Sequence, residues 1–211
     1  WLLSELSKMA ALKIVEMNDN DLDCLVFPAP ESISDLQSST FRSPNKVVAR
    51  IPHLVEIGNE VKKAVLDRLA KICDAAFEGD KIRGDFDRDV ARQQVLDLPE
   101  IYWVTCPITN DYTFAREYAE ALMAARKSTR DFKPAIWGSP QPKSSLDGLR
   151  ESVIPESAYK TPNEEELRFN YGVCKGERLC GVGLLKRHGQ RGKDDRFPST
   201  SHLAALPLLG R

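Results

Sequence analysis

Five cysteines, Cys24, Cys73, Cys106, Cys174 and Cys180, are the residues of this chain best suited to metal or redox chemistry, yet no two of them form an intact C-x-x-C pair. Odd in number and scattered, they point to reduced thiols rather than to a disulfide framework. The run Asp85-x-Asp87-x-Asp89 resembles the opening of a calcium loop, but Val90 and Leu96 stand where such a loop needs Gly and Glu, so a solvated loop is expected. Gly181-x-Gly183 lacks the third glycine of a dinucleotide fingerprint, and Gly192-Lys193-Asp194 lacks the upstream glycine and the hydroxyl residue of a phosphate-binding loop. His53, His188 and His202 are isolated from one another and from any hydrolytic Ser/His/Asp context. What remains is electrostatic. Lys186, Arg187, Arg191 and Lys193 follow an apolar run closely enough to form a positive patch suited to RNA phosphates or an acidic partner subunit, or else to serve as cations closing a helix C-terminus.

Such a patch is not a property of the whole chain, in which 30 Lys and Arg oppose 31 Asp and Glu over 211 residues. From Arg168 onward, however, nine basic residues face three acidic ones. That balance excludes a uniformly basic nucleic-acid binder and an acidic disordered tail. The sequence has neither a membrane-length apolar stretch nor the basic-then-apolar start of a signal peptide, so a cytoplasmic protein without membrane contact is expected. Apolar residues at helical spacing from Leu2 onward predict that the chain opens within a helix of something larger.

Positioning any chemistry falls to the following elements. A helix is predicted over 1–16, stopped by the turn-forming run Asn18-Asp19-Asn20-Asp21. Strands are predicted at Cys24-Leu-Val-Phe27, before Pro28, and at Val47-Val-Ala-Arg-Ile51, between Pro44 and Pro52, with Ser-rich 31–43 as a loop. Val61, Val65, Leu69, Ile72, Cys73 and Ala76 share one face of a helix running from Leu54 to about Phe77. Ile101-Tyr-Trp-Val-Thr-Cys106 reads as a third strand and Tyr112 to Arg130 as a further helix. Beyond it, Pro134, Pro140, Pro142, Pro155 and Pro162 predict a long irregular stretch, with a boundary near Lys133. Helix, strand, strand, helix, strand is the order of a ferredoxin-like unit lacking its first strand, and an α+β sandwich is the expected fold class.

Several short segments, in order, resemble the large subunit of type III-B CRISPR effector complexes, the Cmr group, whose members carry two polymerase- or cyclase-like palm domains. Trp1-Leu-Leu-Ser4 resembles the helix after that family's first palm strand, and Phe27-Pro28 the end of the next strand. Ser43-Pro-Asn-Lys-Val47 is similar to the family's Pro-Asn-Arg-Phe segment, and Arg92-Gln93 with Glu100-Ile-Tyr-Trp103 to its Arg-Gln and Tyr-Trp pair. Leu179-Cys-Gly-Val-Gly-Leu-Leu-Lys-Arg187 and Phe197-Pro-Ser-Thr-Ser201 complete the series.

The resemblance implies an N-terminally truncated first palm at 1–132, a Pro-rich linker with a zinc-finger-like element at 133–190, and the start of a helical region at 191–211. In the family that element holds zinc with two C-x-x-C pairs. Here the four positions are Ser144, Asp147, Cys180 and Gly183, of which one is a cysteine, so zinc is not expected even with Cys174 nearby. The sequence has neither the Gly-Gly-Asp-Asp segment with which relatives make cyclic oligoadenylate nor their N-terminal His-Asp nuclease motif. ATP and a divalent metal are therefore implied for the complete family protein and no cofactor for this chain, whose expected role is structural, among the other Cmr subunits, guide RNA and, indirectly, target RNA. Two other readings stand beside it: a stand-alone nucleotide cyclase or polymerase-like enzyme, which needs acidic pairs at strand ends, and an RRM-type module, which needs exposed aromatics on central strands.

Overall fold

The computed structural model describes residues 1–52, 57–109, 111–129, 138, 140–160 and 164–189. Its first helix, α1 (Leu2–Glu16), buries Leu2, Leu6, Ala11 and Val15 along one stripe and ends where Asp19 and Asn20 take positive φ, as the polar turn run predicts. Strand β1 (Leu25–Phe27) pairs antiparallel with β2 (Val48–Ala49), and between them the short helix α2 (Ile33–Gln37) interrupts the segment expected to be a loop. The Asp35 carboxylate starts α2 by accepting the Glu31 and Ser32 N–H groups at 2.9 Å each. Helix α3 (Ile57–Phe77) buries Val65, Leu69, Ile72, Cys73, Ala76 and Phe77, the face expected from the periodicity, and leaves Val61 half-buried.

The ferredoxin-like palm expectation is overturned. Among the described residues eight α-helices accompany a single two-stranded sheet, with strands of three and two residues. The expected third strand, 101–106, joins no sheet. Its side chains are engaged elsewhere: the Trp103 ring lies on Gly58 at the start of α3, where a Cβ would fall 2.1 Å from the ring, and the Arg126 guanidinium covers Tyr102 at 5.2 Å. Aromatic, β-branched composition reports fit to a half-buried surface, and here helices supply that surface.

The proline-rich half is also more ordered than its composition suggests. After α4 (Arg88–Leu96) and α5 (Tyr112–Ser128) come α6 (Glu156–Lys160), directly behind Pro155, then α7 (Glu164–Tyr171) and α8 (Gly181–His188). Proline is tolerated at a helix start, where its missing N–H would have no partner in any case. The expected boundary near Lys133 lies outside the described residues. One hydrophobic cluster nevertheless joins Leu2 and Leu6 of α1 and the buried face of α3 to Val153, Ile154, Leu167, Val173, Leu179 and Leu185. A smaller cluster of Ala11, Val15, Cys24, Leu25 and Leu36 lies under the sheet and α2.

Two polar ties cross this frame. Lys8, only 2% exposed, pairs with Glu5 and donates to the Ser38 carbonyl at 2.6 Å, while Arg68 of α3 holds the other Glu5 oxygen at 2.9 Å. Ser43 N–H donates to buried Ser4 Oγ at 2.9 Å and Trp1 Nε1 donates to the Lys186 carbonyl at 3.2 Å, so three of the family-like segments touch.

Candidate functional site

The first turn of the zinc-finger-like element begins at Ser144, 1% exposed, whose carbonyl accepts the Gly148 N–H at 2.9 Å. Gly148 has φ +63°, the left-handed conformation that lets the chain double back. Lys143 and Glu151 then bridge antiparallel on either side. Asp147 closes the turn by accepting the Leu149 and Arg150 N–H groups at 3.0 and 3.1 Å and the Arg150 guanidinium at 3.2 Å. Burial pushes the Asp147 carboxyl upward, but these donors outweigh it and hold the carboxyl below its ordinary value.

The second turn is the start of α8. Cys180, 2% exposed, is its N-cap residue, and its carbonyl accepts the Leu184 N–H at 3.0 Å. Two main-chain bonds and one to a side chain lock the turns together: Ser145 N–H to Arg178 O at 2.7 Å, Val153 N–H to Leu179 O at 3.0 Å, and Arg178 N–H to the Ser145 hydroxyl at 2.9 Å. The Cys180 thiol donates to Asp147 Oδ2 at 3.7 Å. A Cβ placed on Gly183 would lie 3.4 Å from Leu146 Cδ1, facing the first turn. Ser144, Asp147, Cys180 and Gly183, separated by up to 39 positions, thus belong to one locus.

Gln94, a residue the sequence reading passed over, ties α4 to this locus. Fully buried, its amide donates to Glu151 O at 3.0 Å and accepts the Gly181 N–H at 2.7 Å. It sits among Ala91, Val95 and Leu98 at helical spacing, so its place on an apolar face is the signal that could have found it. Arg92 of the family-like Arg-Gln pair instead holds Asp74 at 2.8 Å on the surface.

These residues do not fit zinc. Asp147 is already committed to three donors, Ser144 offers a neutral hydroxyl engaged with the Leu146 N–H, and Gly183 offers no side chain. Cys174 has its sulfur 3.6 Å from Arg168, and among the described residues no group of three or more His, Cys, Asp or Glu is placed to hold a metal.

The remaining candidates resolve locally. Asp87 of the calcium-like run caps α4, accepting the Val90 N–H at 3.0 Å. His188 Nε2 lies 2.7 Å from the Tyr171 carbonyl, while His53, His202, Arg191 and Lys193 fall outside the described residues. Lys186 is exposed and makes no ion pair among the described residues. Arg187 reaches the Gly172 carbonyl and takes both Glu177 carboxylate oxygens at 3.1 and 3.2 Å.

Unequal roles for these neighbours have a measurable consequence. Arg187, helped by the Cys174 N–H, draws the Glu177 carboxyl down to about 2, against about 4.3 in an unfolded chain. A carboxyl depressed on folding contributes stability that is fully present above its unfolded pKa and is lost as pH falls through the folded value. Thermal melts followed by circular dichroism should therefore show Tm falling between about pH 4.5 and pH 2. Arg187→Ala is expected to lower Tm at pH 7 and flatten that fall, whereas Lys186→Ala leaves both unchanged. Equal losses in the two variants would refute the distinction.

Among the described residues no helix is long and apolar enough to cross a membrane. Comparison of the chain with protein-family models, with curated proteins and with solved structures returns no match to any of the three.

Proposed function

We propose that this chain is part of the large subunit of a type III-B CRISPR effector complex, in which it serves as a structural and assembly element, its metal-free paired turns doing by packing and hydrogen bonding what zinc does in relatives. The observation that supports this reading is the meeting of the two turns. Two thiolates bound tetrahedrally to zinc at about 2.3 Å lie roughly 3.8 Å apart. Cys180 Sγ and Asp147 Oδ2, at positions matched to two different C-x-x-C pairs, are 3.7 Å apart. Nothing in the local sequence of either turn requires that meeting, since Pro142, Ser144 and Gly148 are equally at home in an ordinary surface loop.

The two-stranded sheet is not a palm and lends no support. Further support comes from the contacts of Trp1 with Lys186 and of Ser4 with Ser43, which join segments singled out by their likeness to the same family. The RRM-type reading loses ground, because 101–106 is not a strand and so presents no aromatic on a central strand.

Affinity capture of the tagged protein from its source cells, followed by mass spectrometry and RNA sequencing, tests the proposal. Recovery of other Cmr subunits with guide RNA is the expected result. Recovery of the chain without either overturns it, and ATP turnover by the purified chain with Mg²⁺ or Mn²⁺ would favour the cyclase-like alternative.

A further inference from the structure

A second locus, separate from the paired turns, opens where the loop after α3 meets the C-terminal ends of α7 and α8. It is a cleft of about 590 Å³ lined by Asp80, Lys81, Arg83, Arg168, Phe169, Arg187 and His188. Four of these seven side chains are permanent cations and one is an acid. Burial lowers the pKa of His188, which leaves the imidazole neutral near pH 7.

The walls are fixed to one another before any ligand arrives. Arg83 and Gly84 N–H groups donate to Asn170 O at 2.9 and 3.4 Å, and Tyr171 Oη donates to Asp85 O at 2.8 Å. The Tyr171 ring occupies the space of a side chain at Gly84, where a Cβ would lie 2.1 Å from it. Glu164 and Glu177 each engage one arginine, Arg168 at 3.1 Å and Arg187 at 3.1 Å, and so orient both guanidinium groups while offsetting part of their charge.

Cations at helix C-termini ordinarily need no ligand to explain them, and Arg168 and Arg187 are of that kind. Arg83 is not, because it stands on a loop beyond the end of α3 at Phe77. The Arg83 guanidinium lies 4.1 Å from the centroid of the Phe169 ring, which is itself 64% exposed. A large, exposed aromatic plane with a cation on it stands at the mouth of this cleft. It suits a ligand that combines phosphates with flat rings.

We propose that this cleft binds single-stranded RNA, with a base stacked beside Phe169 and Arg83 and the flanking phosphates held by Lys81, Arg168 and Arg187. Its volume of about 590 Å³ is that of a small-ligand site, room for a base and its neighbouring phosphates. A phosphopeptide would use the arginines but gains nothing specific from the aromatic plane. The proposal deepens the functional reading by naming an RNA contact, yet rests on the cleft's own residues, so either can fail without the other.

Fluorescence anisotropy of the full chain with a labelled 12-mer oligouridine, over a potassium chloride series, is the test. Binding at low salt is expected with a log–log salt slope near −2, from about three phosphate contacts at roughly 0.7 each. Phe169→Ala should weaken binding about tenfold with the slope unchanged. Arg168→Ala, which removes one of the three phosphate contacts, should weaken binding and flatten the slope by about 0.7, with Arg168→Lys restoring the slope. Both side chains are exposed, and unchanged melting curves will show that the variants fold. Absence of binding at low salt, binding indifferent to both substitutions, or stronger binding of a doubly phosphorylated peptide than of the oligonucleotide would each overturn the proposal.

Discussion

The triple variant Ser144→Cys, Asp147→Cys, Gly183→Cys is expected to retain one zinc ion per chain after dialysis, where the natural protein retains well under one and melts at the same temperature with or without a chelator. With Cys180 in place, the variant supplies four thiolates, the full set for a closed tetrahedral site. The Cys180 to Asp147 separation of 3.7 Å already has the span of one tetrahedral edge, and a Cβ at Gly183 faces the first turn with its nearest neighbour, a Leu179 methyl, at 3.2 Å. Leu179 is fully buried, so its tip must shift by a few tenths of an ångström to admit the new side chain. Zinc that binds only the folded chain adds stability as RT ln(1 + [Zn]/Kd), about 4 kcal/mol at a thousandfold excess over Kd. Elemental analysis and melting curves check both expectations. A folded triple variant without stoichiometric zinc would show that the two turns meet in a geometry unrelated to a metal knuckle.

Gly181→Ala is expected to be among the most damaging single substitutions in the chain. At Gly181 the backbones of α8 and α4 touch, and a methyl there would fall 2.3 Å from the Ala91 carbonyl oxygen and 2.5 Å from Ala91 Cα. Backbone cannot rotate away as a leucine tip can, so α8 must move outward. That movement stretches the 2.7 Å bond from Gly181 N–H to Gln94 and leaves a fully buried amide short of a partner. Overpacking and the lost hydrogen bond together cost about 3 kcal/mol or more, a fall in Tm of about 6 to 12 °C for a chain of this size. Gly176→Ala, where a Cβ would meet nothing within 4 Å, provides the control and should leave Tm unchanged. Gln94→Leu, which removes the bond without the clash, should fall between the two.

The elements that were legible in the sequence are those whose signal is local and long. Helices α1, α3 and α5 carry several turns of periodicity, and Asn18 to Asp21 announces a turn by side chains that compete for backbone hydrogen bonds. Elements specified by one residue were harder to see. A helix hides in the Ser-rich segment because Asp35 reaches back to the N–H groups of Glu31 and Ser32, and α4 hides behind an aspartate run whose middle member is its cap. The misjudged strand at 101–106 has the right side chains, but pairing depends on a neighbour that no local window contains. Of the site, the four degenerate positions came from resemblance alone, whereas the cleft could not be foreseen because Arg83 and Phe169 stand 86 positions apart in the chain.

The shared hydrophobic cluster carries a consequence for how the chain is made. The apolar stripes of α1 and α3 are complete once Phe77 has been synthesised and pack on each other and on Ala91 and Val95 of α4, but the rest of the cluster, Val153 to Leu185, follows about a hundred residues later. At about 5 to 20 residues per second, the helices wait some 5 to 20 seconds with part of that face uncovered. A chain terminated at residue 132 should keep that part of the face in water for good, and should bind a hydrophobic dye that the full chain does not.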